Sequence, residues 1–356
     1  MGVTMNIFSR LSSGYFIAAA FVVLSGCSSI DNSSSSATKN VTQKLQFAAP
    51  EKAGMSAERL KNIDNIINDY INDGQFVGAV SMVSRHGKVV HFEKYGDINK
   101  DTGQDTELDS IFRIYSMTKP VTTVAAMMLY EQGKFQLTDP IAKYLPEFKN
   151  ALVLTEEGKL EKQERPFTVQ MLMSHTGGLT YGVFGNTPVD EQYRKAGVLR
   201  EKNLAEMVTH LGKIPLQYQP GTQWHYSVSV DVLGRLIEVL SGQPLDEYLE
   251  QHIFAPLGMT DTFFQVPEDK ISRFGTNHRY NPGTKQLEVI DRPETSQYTK
   301  EVTFFSGGGG LLSTAEDYMK FCQMMLNGGE FNGARIIGSK TISYMTQNHL
   351  RGIFAN

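Results

Sequence analysis

Apolar side chains recur at helical spacing near the start of the globular part of this chain. Met55, Leu60, Ile63, Ile66, Ile67 and Tyr70 form one stripe, which predicts an amphipathic helix within residues 50–73. Residues 76–84 and 89–95 are rich in β-forming side chains, and His86-Gly87-Lys88 between them supplies a turn, so a hairpin is expected. Residues 110–114 then lead into a helical run over 116–132, with Val121, Val124, Ala125 and Leu129 in register and Gly133 as the stop. Pro120 lacks an N–H but is tolerated in a first turn, which puts Ser116 at or beside the helix N-terminus. From 135 to about 303 the pattern becomes helical and rich in loops, with helices expected over 166–174, 202–211, 228–241 and 245–253. Ser313-Thr314-Ala315-Glu316 reads as a capping box. The helix it opens carries Tyr318, Phe321, Cys322 and Met325 on one stripe, with Cys322 expected in the core, and Ser339 caps a last short helix. This order predicts an α/β domain interrupted by a mostly helical one, with any site in the cleft between them.

The first fifty residues follow a different logic. Arg10 precedes an apolar run over 15–24, which is shorter than the ~20 residues of a spanning helix and fits a secretory leader. Leu24-Ser25-Gly26-Cys27 resembles a bacterial lipobox, and the low-complexity stretch that follows includes Ser33-Ser34-Ser35-Ser36. The expectation is a signal peptide over 1–26, lipid attachment at Cys27, a tether over 27–50 and a folded domain over 51–356. Ser28 after the cysteine, rather than Asp, points to the outer membrane, with the domain facing the periplasm. The formal net charge of −4 gives no nucleic-acid footprint. Neither paired C-x-x-C nor H-E-x-x-H occurs, so no metal is expected, and no phosphate-binding G-x-x-x-x-G-K-[ST] is present.

The chemistry starts at Ser116-Met117-Thr118-Lys119. A serine and a lysine three residues apart share one helix face, and an amine can take the proton of a weakly nucleophilic hydroxyl. The helix N-terminus favours negative charge developing there. Alone, S-x-x-K is equally the pattern of a solvated helix face. The blocks that follow are Ser174-His175-Thr176-Gly177-Gly178-Leu179, Gln219-Pro220-Gly221-Thr222, Tyr226-Ser227 with Asp231-Val232-Leu233-Gly234, and Gly307-Gly308-Gly309-Gly310-Leu311 with Ser313-Thr314-Ala315.

In that order these blocks resemble the serine β-lactamase-like hydrolases: class C β-lactamases, family VIII carboxylesterases and related D-alanyl-D-alanine peptidases. The resemblance runs from about residue 51 to the end of the chain. It implies a β-lactamase/transpeptidase-like α/β (α+β) fold, an antiparallel sheet flanked by helices, with a mostly helical part over about 135–303. It implies that Ser116 is acylated, that Lys119 and Tyr226 handle protons, and that no cofactor is needed. Tyr115, Tyr181 and Trp224 are candidate pocket walls, while His175 reads as a structural histidine at a turn and Gly307–Gly310 as close backbone packing.

Two departures from the family pattern shape the expectation. Val228 stands where class C enzymes resemble Y-x-N, so no amide is offered to a substrate carbonyl, which tilts the reading toward esters. The third motif, K-T-G, H-x-G or W-G-G on a strand beside the nucleophile, is not found, and the strands of that region are expected to be missing after Asn356. The expected function is a serine hydrolase acting on a small ester through an acyl-enzyme. The alternatives are a β-lactamase or D-alanyl-D-alanine carboxypeptidase and, in a different class, a binding lipoprotein that keeps the cleft without the chemistry.

Overall fold

The computed structural model describes residues 44–350 and 352–353. The expected leader, Cys27 and the serine-rich stretch lie outside the described residues. Leu45 is already buried in the main core, and Gln46–Phe47 pairs as a short strand parallel to Lys88–Asn99. The folded part therefore reaches back into the segment read as a tether over 27–50. Leu45 and Phe47 restore an apolar/polar alternation once the serine-rich composition has ended.

The expected hairpin forms from Gly78–Arg85 and Lys88–Asn99, paired antiparallel. His86 and Gly87 close it, with φ of 51° and 73°, the left-handed pair that suits a tight two-residue turn. The sheet is mixed rather than purely antiparallel, because Gln46–Phe47 joins the far side of Lys88–Asn99 in parallel. Among the described residues Gly78–Arg85 pairs with one strand only. The first helix, Ala57–Asn72, is capped by Ser56, whose hydroxyl accepts the Arg59 N–H. It covers one face of the hairpin, where Leu60 joins Ala53 and Val90, while Met82 and Phe92 on the opposite face pack on the main core. The predicted stripe is wider than this contact, so Ile66 and Tyr70 are exposed, and Tyr70 stacks on Phe76 at 5.0 Å.

The central element is Thr118–Glu131, which buries Val121, Val124, Ala125, Ala126, Met127, Met128 and Leu129. A helix apolar around most of its circumference belongs inside a domain. The single helix expected over 116–132 is split, because one turn of 3₁₀ helix, Tyr115–Met117, precedes it and holds Ser116. Its main helical partner is Ser229–Ser241. The glycine run wedges between them. A Cβ at position 307 would lie 2.7 Å from Val230 O and 3.0 Å from Thr122 Cγ2, and one at 308 would lie 2.4 Å from Asp231 Oδ2. Close backbone approach is therefore why glycine stands there.

The region over 135–303 is less helical than expected. Besides helices such as Val169–Met173, Pro188–Ala196, Leu204–Leu211 and Leu245–Leu249, it holds two hairpins. One is Leu152–Leu154 with Leu160–Lys162, and the other is Asn277–Asn281 with Gln286–Asp291. The second hairpin turns at Asn281-Pro282-Gly283, where the Asn281 side chain accepts the N–H groups of Gly283 and Thr284. Interleaved charges such as Arg279 and Glu288 hid its strand pattern.

The C-terminal boundaries shift by one residue. Thr314, not Ser313, caps the helix Ala315–Leu326 and accepts the Asp317 N–H. Ser313 belongs to the strand Leu312–Ser313, which pairs with Phe112–Arg113 beside the Ser116 turn. The buried residues of that helix include Asp317, Phe321 and Met324, so Cys322 is exposed and not in the core as expected. Gly338 occupies the cap of the last helix, and Ser339 is its first residue.

Filling the glycine wedge should strain the central helix pair. Gly307→Ala is expected to cost about 1–3 kcal/mol in urea unfolding, the usual range for overpacking. An unchanged midpoint would rule out close packing as the reason for the glycine.

Candidate active site

The Tyr115–Met117 turn presents Ser116 at the surface, and Lys119 follows one helical turn later. The turn is tied down on its outer side, where Tyr318 OH donates to Met117 C=O at 3.0 Å. Behind it, Thr118 Oγ1 accepts the Leu311 N–H at 3.1 Å. Tyr226 arrives from the loop before Ser229–Ser241, and the three polar groups meet. Ser116 Oγ lies 2.6 Å from Tyr226 OH and 3.3 Å from Lys119 Nζ. Lys119 Nζ donates to Tyr226 OH at 2.6 Å and to Gly308 C=O at 2.6 Å. The ammonium also lies 4.6 Å from the centre of the Tyr226 ring and 5.5 Å from that of Tyr181. A tyrosine oxygen bonded at once to a hydroxyl and to an ammonium can, as the phenolate, accept the hydroxyl proton and return it to another oxygen.

The expected wall residues fall into two groups. Tyr181 and Trp224 flank Tyr226, with ring centres 5.2 Å and 6.4 Å away and planes inclined by 26° and 27°. Tyr115 sits on the other side of Ser116 with φ of 42°, and its OH accepts from Asn277 Nδ2. Burial raises the Tyr115 phenol and pushes that of Tyr181 well above the ordinary tyrosine value. Phe184 packs on Tyr181 at 5.4 Å and is 76% exposed at the rim. Sequence reasoning missed it, because one aromatic in a glycine-containing loop carries no periodicity. A cavity of about 470 Å³ extends from this wall, lined among others by Tyr181, Arg200, Glu201, Tyr298, Phe304 and Gly309. Val228 is fully buried, so its position offers the cleft no polar group.

His175 lies directly behind Tyr226, with ring centres 5.0 Å apart. Its φ is 54°, its Nδ1 accepts the Ser227 N–H at 3.3 Å, and burial holds its pKa down to about 4. The ring is thus a neutral acceptor that fixes the Tyr226 segment, in keeping with a structural histidine at a turn. Asp231, fully buried beneath Lys119, stands in the block after Tyr226-Ser227 but carries no predicted role, because an acidic residue in a helix's first turn is ordinary.

A second Ser/His/Asp grouping sits under the first helix. Ser81 Oγ and Asp64 Oδ1 both approach His91 Nε2, at 2.5 Å and 3.8 Å, and Tyr95 OH donates to Asp64 at 2.5 Å. A triad needs its carboxylate on the nitrogen opposite the serine, so this is a satisfied polar cluster. Burial, with Asp64 beside it, pushes the Tyr95 phenol up to about 12. Among the described residues no group of three His, Cys, Asp or Glu is placed to hold a metal ion.

Known proteins resemble this chain over most of its described length. The family model described as Beta-lactamase matches residues 63–350. Protein Rv1367c of Mycobacterium tuberculosis is 32% identical over 288 residues, covering 80% of this chain and 71% of that protein. Esterase EstB of Burkholderia gladioli is 28% identical over 285 residues, covering 74% of this chain and 69% of EstB. Among solved structures, EstCE1, a hydrolase with promiscuous acyltransferase activity, matches with a TM-score of 0.68 at 26% identity, covering 80% of this chain and 75% of its own.

The buried neutral His175 should make the fold acid-sensitive. The unfolded chain takes up that proton near 6.5, while the folded chain resists until about 4. Stability is therefore full above pH 6.5 and falls as pH drops through this window, by about 1.4 kcal/mol per unit for one group. His175→Asn keeps an acceptor and tolerates the positive φ, so its unfolding free energy should fall less steeply than wild type between pH 6.5 and 4.5. Parallel slopes would show that His175 does not carry this linkage.

Proposed function

The chain belongs to the β-lactamase family, and on that premise we propose that it is a serine hydrolase that cleaves carboxylic esters through an acyl-enzyme. The observation that carries the reading is the closed set of contacts among Ser116, Tyr226 and Lys119. Ser116 Oγ attacks the ester carbonyl, and its proton passes to the Tyr226 oxygen. Tyr226 enters this step as a phenolate, and the Lys119 ammonium bonded to that same oxygen stabilises its charge before transfer. The carbonyl oxygen becomes an oxyanion, and the Ser116 N–H at the helix start is one donor for it. Collapse of the tetrahedral adduct breaks the bond to the leaving alcohol, which receives the proton from Tyr226. Water then attacks the acyl-enzyme, gives its proton to Tyr226 and releases the acid, and the proton returns to Ser116.

The preference for esters rests on Val228 and on the aromatic wall. A buried valine supplies no amide to a lactam or peptide carbonyl, while Tyr181, Trp224 and Phe184 offer apolar surface to an acyl or aryl group. The names of EstB and EstCE1, an esterase and a hydrolase, lend support from relatives.

A fluorophosphonate should add one adduct by intact mass, mapped to Ser116 and lost in Ser116→Ala. Tyr226→Phe should lower kcat by about 10²–10⁴, the usual contribution of a positioned acid–base group. A wild-type protein that takes no adduct and turns over no ester would instead be a binding protein with an inert cleft.

Substrate preference is a separate expectation. kcat/KM for p-nitrophenyl butyrate should exceed that for a chromogenic cephalosporin, and the opposite order would refute the ester assignment.

A further inference from the structure

We propose that Asp231 is a positioning residue for Lys119 that acts through the backbone of Gly308. The inference rests on the acyl-enzyme reading above. An ammonium has three protons, and Lys119 Nζ directs them to Ser116 Oγ, Tyr226 OH and Gly308 C=O. The first two acceptors are the reacting groups themselves. Gly308 C=O is the one backbone acceptor of the three, so it sets where the ammonium stands.

Asp231 sets Gly308 in turn. Its Oδ1 accepts the Gly308 N–H at 3.0 Å and the Ser306 hydroxyl at 2.5 Å. The carboxylate thereby grips both ends of the Ser306–Gly308 segment, while Thr122 Oγ1 donates to Gly307 C=O at 2.8 Å from the helix side. The approach is so close that a Cβ at 308 would lie 2.4 Å from Oδ2, which accounts for glycine at that position. Tyr226 and Asp231 thus come from one short stretch of chain and reach Lys119 by two routes, one direct and one through Gly308.

Ordinary structural explanations for Asp231 fall short. A first-turn carboxylate gains only a little from the helix dipole at a surface site, whereas burying a charged group costs several times more. Asp231 is fully buried, and its Oδ2 has no hydrogen-bond partner among the described residues. Burial pushes its carboxyl upward, against the pull of Ser306, Gly308 and the charge of Lys119. A group this costly is explained by what its other oxygen holds in place.

The test compares wild type, Asp231→Ala, Asp231→Asn and Ser306→Ala by ester turnover, with active sites counted by fluorophosphonate titration. Counting sites separates lost molecules from slower ones. Asp231→Ala should lower kcat per titrated site by about 10–100-fold with KM within about threefold, the scale expected when a reacting group is displaced by an ångström or less. Asp231→Asn keeps an oxygen for Ser306 and Gly308 and should recover activity to within about fivefold of wild type, since the geometry that orients the reacting groups is retained. Should Asp231→Ala fail to fold, Ser306→Ala decides, because loosening one grip should still lower kcat per site severalfold. Wild-type kcat per site in Asp231→Ala or Ser306→Ala, or an Asp231→Asn as slow as Asp231→Ala, would overturn the positioning role while leaving Ser116 as nucleophile. A wild-type protein with no titratable site would overturn the acyl-enzyme reading and this role with it.

Discussion

The Lys119 ammonium is the joint on which this structure depends. It is a cation held partly out of water, and such a charge is tolerated only when its protons are directed to good acceptors. Those acceptors come from three separate stretches of chain: the turn before its own helix, the loop before Ser229–Ser241, and the glycine run at 307–310. Satisfying one charge therefore locks three segments together. It also explains features that look unrelated in sequence, namely a helix that starts with a 3₁₀ turn, a run of glycines and a buried aspartate.

The surroundings of that joint keep its electrostatics strong. Tyr181, Trp224 and His175 pack around the half-buried Tyr226 ring. His175 accepts a backbone N–H and stays neutral, so it adds no second positive charge beside Lys119. Where these rings shut water out in part, hydrogen bonds among the polar groups gain strength, and misplaced ones cost more. The hairpin and the first helix are scaffold by comparison. Their polar cluster at His91 satisfies its own groups and lies apart from the cleft residues.

Much of this was legible in the chain. The hairpin, the first helix and the central helix announced themselves by periodicity, because each buries one face or nearly all of itself. Ser116, Lys119 and Tyr226 were found from local spacing and from their order among other blocks, and the structure brings the three within hydrogen-bond reach. Where the reading slipped, the cause was a weak local signal. Cys322 sits in a stripe whose true buried side is turned by one position, so it is exposed. The cap at Thr314 competes with a neighbouring Ser313 that the strand beside Ser116 claims instead. Leu45 and Phe47 follow low-complexity sequence, whose composition reads as linker, and the Asn277–Asn281 hairpin is masked by its charges.

Sequence by itself picked out the nucleophile candidate and its lysine, whose spacing lies within one local stretch, while the tyrosine followed from the order of the blocks and the family they resemble. Tertiary structure alone decided which acceptors complete Lys119, that Gly308 is one of them, and that Asp231 stands behind it. Those contacts join residues roughly 75 to 190 positions apart, and no periodicity records a distance across the chain. A buried carboxylate and a glycine each look ordinary in a one-dimensional string. Their roles appear only when packing brings an oxygen to within 3.0 Å of an N–H and leaves no room for a side chain between them.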